Sequence, residues 1–526
     1  MSRTLRAVVG LCLGAALLAV APFGAAAQTQ CGYADEMDFP VDAGAFGVVQ
    51  DFGAASYRHQ GRYHTGEDWY GGLGTSYGAV VRAAATGRVT FSSSNGWGVD
   101  GGVIILEHTF RDGSTAYSMY GHITDGTGIA FPAVFSCVRL GDPIAAVGDV
   151  RPAPHLHFEM RTDQPGAADV PGAGYAWDDP TTLGFRRPTK FLLNFRARAA
   201  DGYRFTADIA DEAGAISPPV IRSDDGLLAL DADRVLGVSA DGRVLWRTRL
   251  ERRAVALLPD PTALDGGLIV YADGGVQPVG PDGALGAARS TGAAFDGAPT
   301  AAGGVWIFPT PEGGIAALDS GLGAVLWRLE GVGRVARLAA TPRLIGVMTE
   351  DARLLTISLS GAVLDTAQLR GPAGLSTTLD GDLLVYSRGG LWRVDAEGRW
   401  SLRREDAPPG GGSAAAVETP DGGLYAFDGG ALRGYAPDLR WETALPGVQG
   451  MVSLTAYDGV LLLTSSAGDV IAVQAAGGGV CNRVRLYGDA RSRLWHGLGS
   501  DGVLRLHIAD QIVGFDWQDF LMACGG

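Results

Sequence analysis

The chain has 526 residues with 46% hydrophobic and 19% charged, so it is neither disordered nor fibrous, and its length suits two or three domains. A formal net charge of −15 argues against a nucleic-acid or anionic-membrane binder, since both need a basic surface. The 80 glycines and 26 prolines, about a fifth of the chain, follow no three-residue period; they exclude collagen and point to the tight turns of an all-β protein.

The first residues read as a targeting segment. Arg3 and Arg6 are basic, Ala7 to Phe23 is apolar, and Ala25-Ala26-Ala27 supplies the small residues of a cleavage site. A signal peptide over residues 1–27 is therefore expected, which places the mature chain in the periplasm or outside the cell. No later run approaches roughly 18 apolar residues, so no transmembrane segment is expected after cleavage.

From Cys31 to about Phe195 the sequence is varied, with strand-like runs at Ala79-Val80-Val81 and Val103-Ile104-Ile105-Leu106. Six of the eight histidines lie here. One motif is Gly61-Arg62-Tyr63-His64-Thr65-Gly66-Glu67-Asp68-Trp69, offering an imidazole nitrogen and a carboxylate oxygen, both of which zinc accepts. A second is Pro154-His155-Leu156-His157-Phe158-Glu159-Met160. In a strand, residues two apart face the same side, so His155 and His157 are expected to point together into a cleft, with Leu156 and Phe158 toward the core. Between them, Ala116-Tyr117-Ser118-Met119-Tyr120-Gly121-His122-Ile123 places His122 at a strand end. A catalytic zinc needs three protein ligands and an open position for water. These motifs offer more, and the surplus histidines can serve as bases or electrophiles. His59 and His108 lie off the motifs and read as structural or surface residues.

Together these motifs resemble the lysostaphin-type zinc endopeptidases, the LytM-like domains that cut peptidoglycan, over about residues 43–162. Val80-Val81-Arg82-Ala83-Ala84-Ala85-Thr86-Gly87-Arg88-Val89 and Val138-Arg139-Leu140-Gly141-Asp142-Pro143-Ile144 are also similar to the family. The resemblance implies that His64, Asp68 and His157 ligate Zn2+ and that His122 and His155 are catalytic without being ligands. It implies peptide hydrolysis in peptidoglycan. Regulators of other wall hydrolases built on the same domain typically lack the metal ligands, and the intact set here counts against that alternative. The loop Asp149-Val150-Arg151-Pro152-Ala153-Pro154 departs from the Gly-, Ser- and Thr-rich segment usual in the family.

From about Ala200 onward, apolar runs alternate with Asp-Gly, Gly-Gly and Ser-Gly turns. Strand pairs begin near Leu227, Leu268, Val305, Leu344, Leu383, Gly423, Val460 and Val503, about 40 residues apart. An all-β period of that length predicts four-stranded blades in a β-propeller, eight of them, or seven if the last unit only completes the first. Gly314-Ile315-Ala316-Ala317-Leu318-Asp319 followed by Ala324-Val325-Leu326-Trp327 is the clearest copy. Trp246 and Trp441 hold the same closing position, and Trp400 is a looser match; all are expected to pack between blades. The pattern resembles the quinoprotein-like propeller repeats, but no acidic, Asn and Arg cluster recurs as a quinone site. The propeller is expected to bind substrate or a protein partner, and a scaffold whose main business is the propeller is the further alternative. His496 and His507 lack metal-like spacing.

The expected organisation is a signal peptide at 1–27, a LytM-like antiparallel β domain at 28–198 and a propeller at 199–526. Four cysteines remain after cleavage. Cys31–Cys137 and Cys481–Cys524 is the economical pairing of the three allowed, with a four-Cys zinc site as rival.

Overall fold

The computed structural model describes residues 31–97, 101–162, 168–209, 217–231, 233–370, 373–387, 390–404, 414–435, 438–488 and 493–524. The expected signal peptide lies outside them. Contacts divide the chain into two units, Met1–Arg187 and Pro188–Gly526. Among the described residues no helix is long and apolar enough to cross a membrane.

The first unit is built on a ten-stranded antiparallel sheet. Its central order is Gly47–Gln50, Glu67–Tyr70, Leu156–Arg161, Thr115–Thr124, Gly102–Thr109, Gly87–Ser93 and Cys137–Val138. The expected apolar runs are strands here, and Ile104, Ile105 and Leu106 are fully buried because the sheet is covered on both faces. A small second sheet pairs Arg62–His64 with Ala55–Ser56 and Tyr175–Ala176. The disulfide Cys31–Cys137 forms, with its Cα atoms 5.2 Å apart.

Among its described residues the second unit holds eight four-stranded antiparallel sheets. Their second strands are Leu227–Asp231, Gly267–Tyr271, Val305–Thr310, Leu344–Thr349, Leu383–Ser387, Leu424–Asp428, Val460–Ser465 and Val503–Ile508, matching the repeat starts. These strands are apolar at nearly every position because each sheet is buried on both faces. In the first blade, Leu228 and Leu230 pack toward the second blade, while Leu227 and Ala229 pack toward the eighth. Comparable clusters fill every gap between consecutive blades, including the one from eighth to first, which closes the ring. The eighth blade is composite: Tyr203–Asp208, from the start of the unit, pairs with Gln511–Asp516 from its end. The helix Pro188–Arg198 falls in this unit, where Ala197 packs with Leu486, Phe515 and Phe520.

The expected inter-blade tryptophans act as rivets. Trp246, Trp327 and Trp441 donate their indole N–H to the carbonyls of Pro281, Leu359 and Ala475 in the next blade, at 2.8–3.0 Å. Each ring lies over a glycine with positive φ, at Gly283, Gly361 and Gly478, where a Cβ would come within 2.5–2.8 Å of the ring. Trp400 points the other way and donates to Asp365 of the preceding blade, so its looser sequence match reflects a different partner. The second disulfide joins Cys481, in the outer strand of the seventh blade, to Cys524 beyond the last strand.

Candidate metal centre

Asp68 and His157 stand directly opposite each other on neighbouring strands, so their side chains rise from the same face of the sheet. His64 arrives from the small sheet and folds over them. The turn between His64 and Asp68 works because residue 66 is glycine: a Cβ there would sit 2.4 Å from the Phe158 carbonyl and 3.0 Å from His157 Nε2. The approach of the two segments leaves no room for a side chain.

Three atoms converge as a result. His64 Nε2 lies 2.9 Å from His157 Nδ1 and 3.2 Å from Asp68 Oδ1, and His157 Nδ1 lies 3.0 Å from Asp68 Oδ1. All three residues are buried. Ligand bonds of 2.0–2.1 Å in a tetrahedron put donor atoms about 3.3–3.4 Å apart, so this triangle is slightly tighter than a zinc site requires. The donor set of two imidazoles and a carboxylate suits zinc.

The outer ring nitrogens are braced. His64 Nδ1 faces the Asp51 carbonyl at 3.2 Å, and His157 Nε2 faces Glu159 Oε1 at 2.9 Å. Glu159 also accepts from Thr65 Oγ1 at 2.6 Å and from Arg161 Nε at 2.8 Å. Arg161 is buried and donates further to the carbonyls of Ala168, Val170 and Pro171. Burial would depress the basicity of His157, but the Asp68 and Glu159 carboxylates on either side overcome it and raise its pKa to about 9. Burial likewise penalises the Asp68 carboxylate, yet its hydrogen bonds with His157 and His64 hold its pKa far below the ordinary range. The site is thus arranged to keep a buried carboxylate ionised.

His122 and His155 lie beside the triangle. His122 sits in the strand Thr115–Thr124 with φ 59°, at a break in register where Gly102 pairs with Ile123 but Val103 pairs with Gly121. This bulge turns its ring toward the site. The ring lies edge to face with His155, centroids 4.8 Å apart, and 6.2 Å from the ring of His157. His155 precedes the strand that begins at Leu156, so the strand alternation expected for it starts one residue later. Its Nδ1 lies 2.8 Å from the Ala153 carbonyl, which can only accept. Nδ1 therefore donates to that carbonyl, and Nε2 faces Asp68 Oδ2 at 3.5 Å.

Residues 62–169 match the family model described as Peptidase family M23. That match bears out the resemblance carried by the two histidine motifs and places all five residues inside the M23 domain. Residues 231–382 match a model described as Outer membrane protein assembly factor BamB. No curated protein matches the chain. Among solved structures, BamB from Moraxella catarrhalis is 16% identical with a TM-score of 0.42, covering 60% of this chain and all of that one. The computationally designed Ika8 protein is 13% identical with a TM-score of 0.44, covering 60% of this chain and 99% of its own.

Glu159, Arg161 and Trp97 were not singled out from sequence. Glu159 and Arg161 continue the alternation that begins at His157, so the same period of two marks them. Trp97 packs against His122 and His157, at 4.7 and 5.1 Å between centroids, from a loop whose position no local pattern announces. His108 is buried between the Thr86 carbonyl and the Ser118 hydroxyl, and His59 stacks on Tyr175; both stand off the metal triangle.

Proposed function

We propose that the M23 domain is an exported zinc endopeptidase acting on the peptide part of peptidoglycan. The observation that carries this reading is the convergence of His64 Nε2, Asp68 Oδ1 and His157 Nδ1, with both imidazoles braced from behind and two further histidines alongside. His64, Asp68 and His157 would hold Zn2+. The ion, when bound there, supplies a Lewis acid and acidifies a water toward neutrality. His155, its ring orientation held by the Nδ1 contact to the Ala153 carbonyl, presents Nε2 at the site, where it can exchange a proton with the water. His122, beside it, can hand a proton to the leaving amine or donate to the developing oxyanion. Trp97 walls the cleft at His122 and His157 and limits water there.

Two disulfides fit an oxidising compartment outside the cytoplasm, consistent with a signal peptide at residues 1–27. The propeller is read as the binding or scaffolding part, in keeping with its family-model match. Digestion of purified peptidoglycan tests the proposal, with products identified by mass. New amino termini released by the parent protein and absent with His157→Ala would support it. Identical product profiles for the two would refute it.

A further inference from the structure

The propeller contains a cavity of about 320 Å3 that the peptidase reading does not use. It lies on the axis: the inner strands Val335–Ala340, Gly374–Thr377, Ala414–Glu418, Val452–Tyr457 and Trp495–Leu498 all contribute to its wall. Much of that wall is apolar, including Leu338, Leu375, Met451 and Leu454.

Two arginines, Arg337 and Arg493, are set into it. Neither guanidinium has a hydrogen-bond or ion-pair partner among the described residues; that of Arg493 lies 6.0 Å from the Trp495 ring centroid. The acid on the wall, Asp296, forms no ion pair with either. Burial depresses the basicity of the Arg337 guanidinium, and the charge of Arg493 depresses it further. Two uncharged groups on the same wall are also unsatisfied: the Thr464 hydroxyl, in a residue 1% exposed, and the Trp495 indole N–H are buried without a partner among the described residues. Guanidinium and indole groups can only donate. Buried polar groups in folded proteins are ordinarily satisfied, so the Thr464 hydroxyl and Trp495 N–H, beside the half-buried Arg337 and the exposed Arg493, call for something that accepts. A group that accepts from several donors and neutralises paired arginines is an anion, and the apolar wall suits a compact body behind it.

We propose that the axial cavity of the propeller binds an organic anion, a carboxylate or phosphate carried on a compact apolar body, with Arg337 and Arg493 as its cationic contacts. Calorimetric titration of the full chain with benzoate, phenyl phosphate and benzyl alcohol tests this without reference to peptidase activity. Saturable binding of one or both anions is expected, with benzyl alcohol roughly tenfold weaker or worse. The tighter of the two anions assigns the class. Arg337→Gln and Arg493→Gln should each weaken that binding roughly tenfold or more, and Thr464→Val by about two- to tenfold. Arg493 keeps solvent exposure, so its variant and Thr464→Val carry the test even if Arg337→Gln fails to fold. No saturable binding of either anion would overturn the proposal. So would equal affinity for benzyl alcohol, or unchanged affinity in Arg493→Gln.

Discussion

Replacing Glu159 by Gln separates a braced metal site from three residues that merely lie close together. Glu159 is fully buried and uses both oxygens: Oε1 meets His157 Nε2 at 2.9 Å and Thr65 Oγ1 at 2.6 Å, while Oε2 meets Arg161 Nη2 at 2.6 Å. A glutamine keeps only one acceptor. If its oxygen faces Arg161, its amide N–H group faces His157 and favours the wrong tautomer; if it is flipped, two donors confront each other at Arg161. Outer partners of ligating histidines are typically worth 10–100-fold in metal affinity, about 1.4–2.7 kcal/mol. Arg161 would also lose its buried countercharge, a loss of about 3 kcal/mol in folding stability at the low end for a broken buried pair. Zinc affinity measured against a competing chromophoric chelator, with urea unfolding of the zinc-free protein alongside, gives both numbers. An affinity unchanged within about a factor of two would refute the argument that Glu159 positions His157.

Gly66→Ala should reduce zinc binding and destabilise the first unit by about 1–3 kcal/mol, because its Cβ would meet the Phe158 carbonyl at 2.4 Å; chelator competition and urea melts check it. His122→Ala and His155→Ala should each retain zinc but lose about 10²–10⁴-fold in hydrolysis, and loss of zinc from either would mean that ligand and catalyst have been exchanged. Cys481→Ser opens a loop of 43 residues and should cost the propeller on the order of 4 kcal/mol, seen by calorimetry, while zinc content stays at the parental level. Acid should weaken both units. Burial lowers the pKa of His108 in the first unit, and of His496 and His507 in the second, to about 4. The unfolded chain then binds more protons than the folded one, so stability falls as pH drops from about 6.5 toward about 4, by up to ~3 kcal/mol per histidine. Urea midpoints across that range, compared with His108→Gln, measure the share of the first unit.

The blades were legible because every sheet is sandwiched between two others. Strands such as Leu227–Asp231 and Val460–Ser465 are apolar on both faces, and the turns between them recur at a fixed period. His64, Asp68 and His157 were legible as a set because residue type and spacing both mark them. The orientation of His122 was not: it depends on a bulge produced by the register of two paired strands, and register is a property of the pair. Trp400 shows the same limit. Its position in the repeat suggested the common partner, but an aspartate in the preceding blade captured its N–H. The outer strand of the eighth blade left no trace in the period, since Tyr203–Asp208 lies far in sequence from the strands it joins.

That composite blade has a consequence in time. Arg204 and Asp516, 312 residues apart in sequence, are joined by an ion pair across its outer seam. While the polypeptide is being made, Tyr203–Asp208 emerges early and must wait, its edge unpaired, until Gln511–Asp516 appears. A chain stopped anywhere short of that last strand would carry both an orphan strand and an uncovered first blade, whose Leu227 and Leu236 pack against Ile512 in the finished ring. Such truncated products are expected to be sticky and protease-sensitive, so the ring in effect inspects whether its own synthesis has been completed.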